Sequence, residues 1–358
     1  MITVTKAYLP PYNEYEAILK RAWDKSWLTN HGELVIELEQ KLKEYLDVQH
    51  FLFTCNGTVV LQMALKVLNI TKEVITSPFS YVATTNAILW EGCTPVFVDI
   101  DPQTFCIDAS KIEAAITPNT QAILATHVYG IPCNVEAIAA IAKKHQLKVI
   151  YDGAHAFGVQ YNGKSLLSYG DISTCSFHAT KVYHTVEGGC IIANDAEANQ
   201  QLILYRSFGH IADEYYSVGI NAKNSEFHAA MGLAVLPYVT EIIEARRAIC
   251  NLYNALLPNA LHALQYEMPG LKYNFAYYPI LFESEAILLR VKNELQKNMI
   301  NSRRYFYPSL NTLPFVTAAY ACTISEDISQ RVLCLPLYAD LLETDVIAIT
   351  NIINDSII

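Results

Sequence analysis

Residues 121–152 read QAILATHVYGIPCNVEAIAAIAKKHQLKVIYD. An apolar strand-like run (QAILATHVY) passes into a helical pattern (NVEAIAAIAKKHQ) and returns to a second apolar run (LKVIYD). Strands that are apolar on both faces and joined through a helix belong to a parallel sheet covered by helices, because only there do both faces lose water. The alternation continues on either side. Upstream, HFLFTC leads to a helix from about Thr58 (VVLQMALKVL), EVITS to YVATTNAILWEG, and TPVFVDI to the Asp108-led segment ASKIEAAI; downstream come DISTCSF and GGCIIAND. This βαβα rhythm predicts an α/β fold with a mostly parallel sheet between helices.

Two helices precede the sheet. Asn13 is the predicted cap of the first, with Glu16 at capping-box spacing and Tyr15, Ile18, Leu19, Ala22 and Trp23 on one face. The second covers 33–46, with Leu34, Leu38, Leu42 and Tyr45 as its stripe. After about residue 240 the rhythm changes to a long helical pattern (VTEIIEARRAICNLYNALL), strand-like YNFAYYPILFE, a Ser284-led helix, short β-like runs near RRYFYP and RVLCLPL, and a last helix after Thr344. We expect a large domain over 1–240 and a smaller C-terminal α+β domain over 241–358, joined rigidly by the long helix.

The 358 residues are 52% hydrophobic and 17% charged, which excludes a disordered chain and permits a sizeable core. A net charge of −10 argues against a nucleic-acid or membrane-surface binder, both of which carry a basic excess. The apolar stretches are shorter than the ~20 residues a spanning helix needs. The N-terminus lacks a basic start followed by an apolar core, so a cytoplasmic protein is expected. Nine cysteines in an odd, scattered set without CxxC read as reduced core residues, and no metal site is expected.

In open α/β sheets functional groups collect at the carboxyl ends of the strands. Four segments are informative there. Thr54-Cys55-Asn56-Gly57-Thr58 joins a strand to an apolar helix, so Gly57 allows close backbone approach and the helix start can bind an anion. Asp152 ends a fully apolar strand, with His155 nearby. Ser176-Phe177-His178-Ala179-Thr180-Lys181, shortly before Glu187-Gly188-Gly189, places a lysine after a buried strand, where its amine suits Schiff-base chemistry. Gly219 to Glu226 (GINAKNSE) is a polar turn before the helix FHAAMGLAVL. Each alone has a structural reading, as cap, turn or surface loop. Together they meet the needs of pyridoxal 5'-phosphate (PLP): Lys181 for the carbonyl, Asp152 for the pyridine nitrogen, a helix start with Ser176 for the phosphate, and Tyr81 as the aromatic cover.

NGTVVLQMAL, SPFSYVATTNAILWEGCTPVFVDID, THVYGIPCNVEAI, YDGAHAFG, SFHATKVYHTVEGG and GINAKNSEFHAAMG resemble the DegT/StrS-type sugar aminotransferases, fold type I PLP enzymes acting on nucleotide-linked keto sugars. SFHATK with EGG and RRYFYPSL is most similar to the branch that makes dTDP-4-amino-4,6-dideoxyglucose from dTDP-4-keto-6-deoxyglucose. The resemblance implies that Lys181 carries the cofactor and moves the proton, and that Asp152 pairs with the ring nitrogen. It places His155 at the ring hydroxyl, Gly57, Thr58 and Ser176 at the phosphate, and Tyr81 on the ring. Asn221 would reach the cofactor phosphate of the neighbouring subunit in a homodimer with shared active sites. Lys223, Arg303, Tyr305 and Tyr307 are the candidates for sugar contact. Lys223 stands where Arg is frequent and Asn56 where Ser is common. The implied reaction is a ping-pong transfer from L-glutamate to the keto sugar, for surface polysaccharide or glycan biosynthesis. The alternatives are a 3-aminotransferase, a UDP-sugar 4-aminotransferase, and a non-catalytic binding or regulatory protein on the same fold.

Overall fold

The computed structural model describes residues 1–261, 264, 268–318 and 320–357. Its central sheet contains β1 (Leu52–Thr54), β2 (Glu73–Thr76), β3 (Thr94–Phe97), β4 (Thr120–Thr126), β5 (Lys148–Asp152), β6 (Ile172–Ser176) and β7 (Gly189–Ala193). The order is β1-β7-β6-β5-β4-β2-β3. β7 runs antiparallel to both its neighbours, and every other pairing is parallel. The predicted mostly parallel sheet is therefore present.

Alternation along the strands divides the core into two layers. Ile123, Val149 and Tyr151 enter one apolar cluster, whereas Leu124, Ile150 and Ile172 enter the other. α1 (Tyr12–Lys25) and α2 (Glu33–Leu46) pack on the first layer, and α3 (Val59–Val67) and α4 (Val82–Trp90) contribute to the second. The stripe of α2 is as expected, with Leu34, Leu38 and Leu42 fully buried and Tyr45 half-exposed but stacked on Phe157.

α1 departs from the sequence reading at two points. Asn13 is not its cap: the helix starts at Tyr12 after Pro11, whose carbonyl accepts from Glu14 and Tyr15 N–H, and no side chain caps it. The fixed φ of proline suits that entry without a polar cap. Trp23 leaves the buried face with 64% exposure while Ala22 is buried, since adjacent helical positions diverge by ~100°.

Beyond the sheet, β8 (Tyr278–Leu281) and β9 (Val332–Leu335) pair antiparallel. The helices Glu285–Lys297 and Glu343–Ile357 close a separate apolar cluster around Leu288, Val291, Leu333 and Ile349. Ser284 caps the former, accepting from Ile287 N–H at 3.3 Å. The long helix Val239–Leu256 spans both cores, giving Val239 and Ile242 to one and Cys250 and Tyr253 to the other. The N-terminus packs on the C-terminal unit, where Ile2 bridges Ile300 and Val4 carbonyl accepts from Leu337 N–H.

Two predicted β runs are shorter than expected. YNFAYYPILFE pairs only over Tyr278–Leu281, because Phe275 turns to φ 51 and Asn274 instead donates to the carbonyls of His155 and Phe157 at 2.8 Å each. RRYFYP makes a single bridge, Arg303 to Cys334; the Tyr305 carbonyl instead accepts from Tyr129 Oη. Among the described residues no helix is long and apolar enough to cross a membrane. All nine cysteines are unbridged, and eight are buried.

Candidate active site

Parallel register sets Asp152 opposite Thr174, so the carboxyl ends of β5 and β6 open into one cleft. The chain leaves β6 at Ser176 and folds into a pinned loop. Phe177 N–H donates to Gly188 carbonyl, Ala179 to Val186 and Lys181 to His178, each at 2.8–2.9 Å. This loop fixes the Lys181 stem, and its Nζ lies 3.5 Å from Tyr277 Oη. Burial lowers the Lys181 pKa, opposed by the nearby Asp152 charge. A lysine amine so placed is a better nucleophile and proton carrier near neutral pH than a surface lysine.

Asp152 is 6% exposed. Its Oδ2 accepts from Thr84 Oγ1 at 2.7 Å and its Oδ1 from Ala154 N–H at 3.1 Å. Burial raises its pKa, while Thr84, Ala154 N–H and Lys181 pull it down. Among the described residues no cation lies within ion-pair distance of it. The site thus holds a buried carboxylate whose natural complement is a cationic group brought from outside the chain.

His155 is a neutral imidazole. Its Nδ1 accepts from Tyr129 N–H at 3.2 Å, so the proton resides on Nε2, and burial holds the pKa well below its usual value. The ring lies parallel to Phe306 at 5.7 Å and edge-on to Tyr277 at 4.9 Å.

Across the cleft, Gly57 touches Ser176: a Cβ at Gly57 would sit 2.7 Å from Ser176 Cβ. Only glycine permits this approach of turn to strand. The helix start differs from expectation. Asn56 Oδ1 accepts from Thr58 N–H and Val59 N–H at 2.9 Å each, so the α3 terminus is capped from within the chain. The hydroxyls of Thr58 and Ser176 and the Gly57 backbone still line the cleft.

Gly57, Thr58, Tyr81, Asp152, His155, Ser176, Lys181, Arg303 and Tyr305 all line this one cleft. Tyr307, Asn221 and Lys223 do not line it. Tyr307 lies under the Arg304 guanidinium, 3.5 Å from its ring centre. Lys223 Nζ sits 4.6 Å above the Phe208 ring, and Asn221 is exposed in a bridge to Ser207. The sequence reading missed Ser80, Thr126, Tyr277 and Phe306 on the cleft wall and Thr84 beside Asp152. The first signal for Tyr277 and Phe306 was their aromatic clustering in YNFAYY and RRYFYP.

A partly buried lysine and a buried carboxylate at neighbouring strand ends, in a seven-stranded sheet with one antiparallel member, match the arrangement of a fold type I sugar aminotransferase. The chain belongs to the DegT/DnrJ/EryC1/StrS aminotransferase family, whose model it matches over residues 12–354. It is 42% identical over 348 residues, 95% of each chain, to a dTDP-4-amino-4,6-dideoxy-D-glucose transaminase of Shigella dysenteriae. Its identity to the Escherichia coli protein of the same name is 42% over 365 residues, 98% of each chain. The fold matches DesI, solved in the presence of its TDP-sugar product, with a TM-score of 0.93 and 31% identity over 99% of this chain and 93% of that one. The kinship with sugar aminotransferases read from the sequence is borne out.

Proposed function

We propose that this chain is a PLP-dependent transaminase that moves the amino group of L-glutamate to dTDP-4-keto-6-deoxy-D-glucose, giving dTDP-4-amino-4,6-dideoxy-D-glucose. The observation that carries the cofactor is the placement of Lys181 near an Asp152 carboxylate that, among the described residues, forms no ion pair, beside a Gly57–Ser176 contact that a Cβ would close. The donor set suits a pyridoxal ring: a buried carboxylate for its nitrogen, a neutral Nε2–H for its ring oxygen, and hydroxyls with a glycine backbone for its phosphate. The nucleotide sugar is inferred from the two 42% identical relatives, which cover nearly the whole chain.

When bound, PLP supplies the electron sink that makes the Cα–H bond of the amino acid acidic. Lys181 would present its amine to the cofactor carbonyl, and its Nζ would move the proton between the substrate carbon and the cofactor. Asp152 holds the ring nitrogen protonated. His155 donates from Nε2 to the ring oxygen, and Gly57, Thr58 and Ser176 bind the phosphate. Tyr81, 54% exposed at the start of α4, is free to cover the ring. Arg303 and Tyr305, which line the same cleft, are the residues assigned to the sugar. The large domain over 1–240 and the smaller one over 241–358 form the two walls.

The active form is a homodimer in this reading, and Asn221 serves the partner's cleft. The exposure of Asn221 and the position of half-buried Lys223 outside their own cleft support this, as do the apolar side chains Trp23, Trp27, Phe208, Ile211 and Val218 left exposed on the surface. The test is the purified holoenzyme with L-glutamate and dTDP- or UDP-linked 4-keto-6-deoxy sugars, with the product identified by mass and NMR. An equatorial 4-amine on the dTDP-glucose skeleton is expected; amination at C3, turnover of the UDP sugar alone, or no turnover would overturn the assignment.

A further inference from the structure

From the cleft wall, where Ser80 and Thr126 sit, a run of three hydroxyls leads through Thr84 to Asp152. Thr84 Oγ1 donates to Asp152 Oδ2 at 2.7 Å, Ser80 Oγ is 2.8 Å from Thr84 Oγ1, and Thr126 Oγ1 is 3.0 Å from Ser80 Oγ. The three residues come from the turn before α4, from α4 itself and from the end of β4. Their exposures are 2%, 0% and 2% for Ser80, Thr84 and Thr126, so bulk water does not compete for these bonds.

Each hydroxyl has one hydrogen to give. An ionised carboxylate only accepts, which commits the Thr84 hydrogen to Asp152. The Ser80 hydrogen must then go to Thr84, and that of Thr126 to Ser80. The run therefore has a single direction while Asp152 is charged, with all three dipoles aimed at the carboxylate. Protonation of Asp152 removes that constraint and allows the direction to reverse.

We propose that Thr126, Ser80 and Thr84 form a polarised relay that positions Asp152 and keeps it ionised for the pyridine nitrogen, with Thr84 as the positioning residue. This rests on the PLP reading above. The geometry supplies both effects. Oδ2 is tied by Thr84, leaving Oδ1, which takes only Ala154 N–H, for the ring. Chained hydroxyls also polarise one another, strengthening the last bond to the anion. Burial pushes the Asp152 carboxyl up, and the Thr84 bond is the largest influence in the opposite direction. The other titratable groups whose charge reaches Asp152 are Lys181, which favours its ionisation, and the Cys133 thiol, which stays protonated because burial pushes it up. His155 is neutral.

Apo wild type, Thr84→Val, Thr84→Ser and Ser80→Ala are compared in equilibrium PLP binding across pH, followed by absorbance, and in urea unfolding of the apo proteins. Thr84→Val is expected to bind PLP about tenfold more weakly at neutral pH and to move the acid limb of binding up by about one pH unit. Thr84→Ser should restore both to within about twofold, and Ser80→Ala should fall between, since it keeps the Thr84 bond and loses only its polarisation. In the apo protein a raised carboxyl pKa makes stability fall as pH rises between the unfolded and folded values, and Thr84→Val should extend that fall to higher pH. Wild-type affinity and an unshifted pH profile in both Thr84→Val and Ser80→Ala would overturn the relay. Failure of wild type to bind PLP would instead sink the cofactor reading, and the apo unfolding profiles would still decide whether Thr84 controls Asp152.

Discussion

Gly57→Ala tests the floor of the cleft with the smallest possible change. The added Cβ would lie 2.7 Å from Ser176 Cβ and 3.2 Å from Ser176 Cα, where ordinary contacts fall at 3.4–4 Å. Rotating the serine does not relieve the overlap, because its Cα is part of the strand. The 56–58 turn and the end of β6 must therefore part by roughly 0.7 Å. Such overpacking costs about 1–3 kcal/mol of stability. The same movement separates the Gly57 backbone from the Ser176 hydroxyl, the pair assigned to the phosphate. Losing one hydrogen bond to a charged group costs about 1.5–3 kcal/mol, which is roughly 10- to 100-fold in Kd. The assay is equilibrium PLP binding to the apo protein beside its urea midpoint. Gly92→Ala serves as control: φ is +75 there but the new Cβ meets nothing within 4 Å, so about 1 kcal/mol of strain and no change in PLP affinity are expected. Wild-type PLP affinity in Gly57→Ala, with the midpoint unchanged, would refute the close-approach argument.

The buried imidazoles set an acid limit on the fold. Burial lowers His127 to about 3, holds His155 well below its usual value and lowers His184. All three take up a proton in the unfolded chain as pH drops below 6.5 and resist it in the fold, so stability is lost as pH falls from 6.5, by up to about 1.4 kcal/mol per pH unit for each group. Asp152, with a raised pKa, acts with the opposite sign but is one group against three. The apo urea midpoint should decline already between pH 6.5 and about 5, before most carboxylates protonate; a flat midpoint there contradicts the neutral, buried assignment. Subunit sharing is checked by mixing. Lys181→Ala and Asn221→Asp homodimers, each impaired, should regain about a quarter of wild-type activity after subunits are exchanged, because each mixed dimer carries one intact site. No recovery despite proven exchange would place Asn221 in its own subunit's site, and full activity of the Asn221→Asp homodimer would place it outside any site.

The sheet was legible because its strands are apolar on both faces and its helices are striped. Most strands of the central sheet appear as apolar runs, although β6 (Ile172–Ser176) carries Ser173 and Thr174, and Asp152, Ser176 and Lys181 follow from where two of those runs end. Local pattern carried less at positions decided by distant partners. Thr84 lies within YVATTNAILW, where a threonine reads as a helix residue of moderate propensity, and nothing nearby tells that its hydroxyl meets a carboxylate 68 positions away. Tyr277 reaches Lys181 because Asn274 bends the chain by binding the His155 and Phe157 carbonyls, a contact between segments far apart in sequence. The α1 start was misplaced because the Asn13–Glu16 spacing resembles a capping box, while Pro11 already determines the entry. From the sequence Asn56 is notable only for standing where Ser is common; in the structure it occupies two N–H groups of the helix start.

Lys181 is the residue through which the cofactor would be held. Reducing the holoenzyme with borohydride and mapping the peptides by mass should put a single pyridoxyl group on Lys181, in the segment SFHATKVYH, with none on the Lys181→Ala protein. A label on Lys223 or another lysine, or the same labelling after Lys181→Ala, would contradict the assignment of the site.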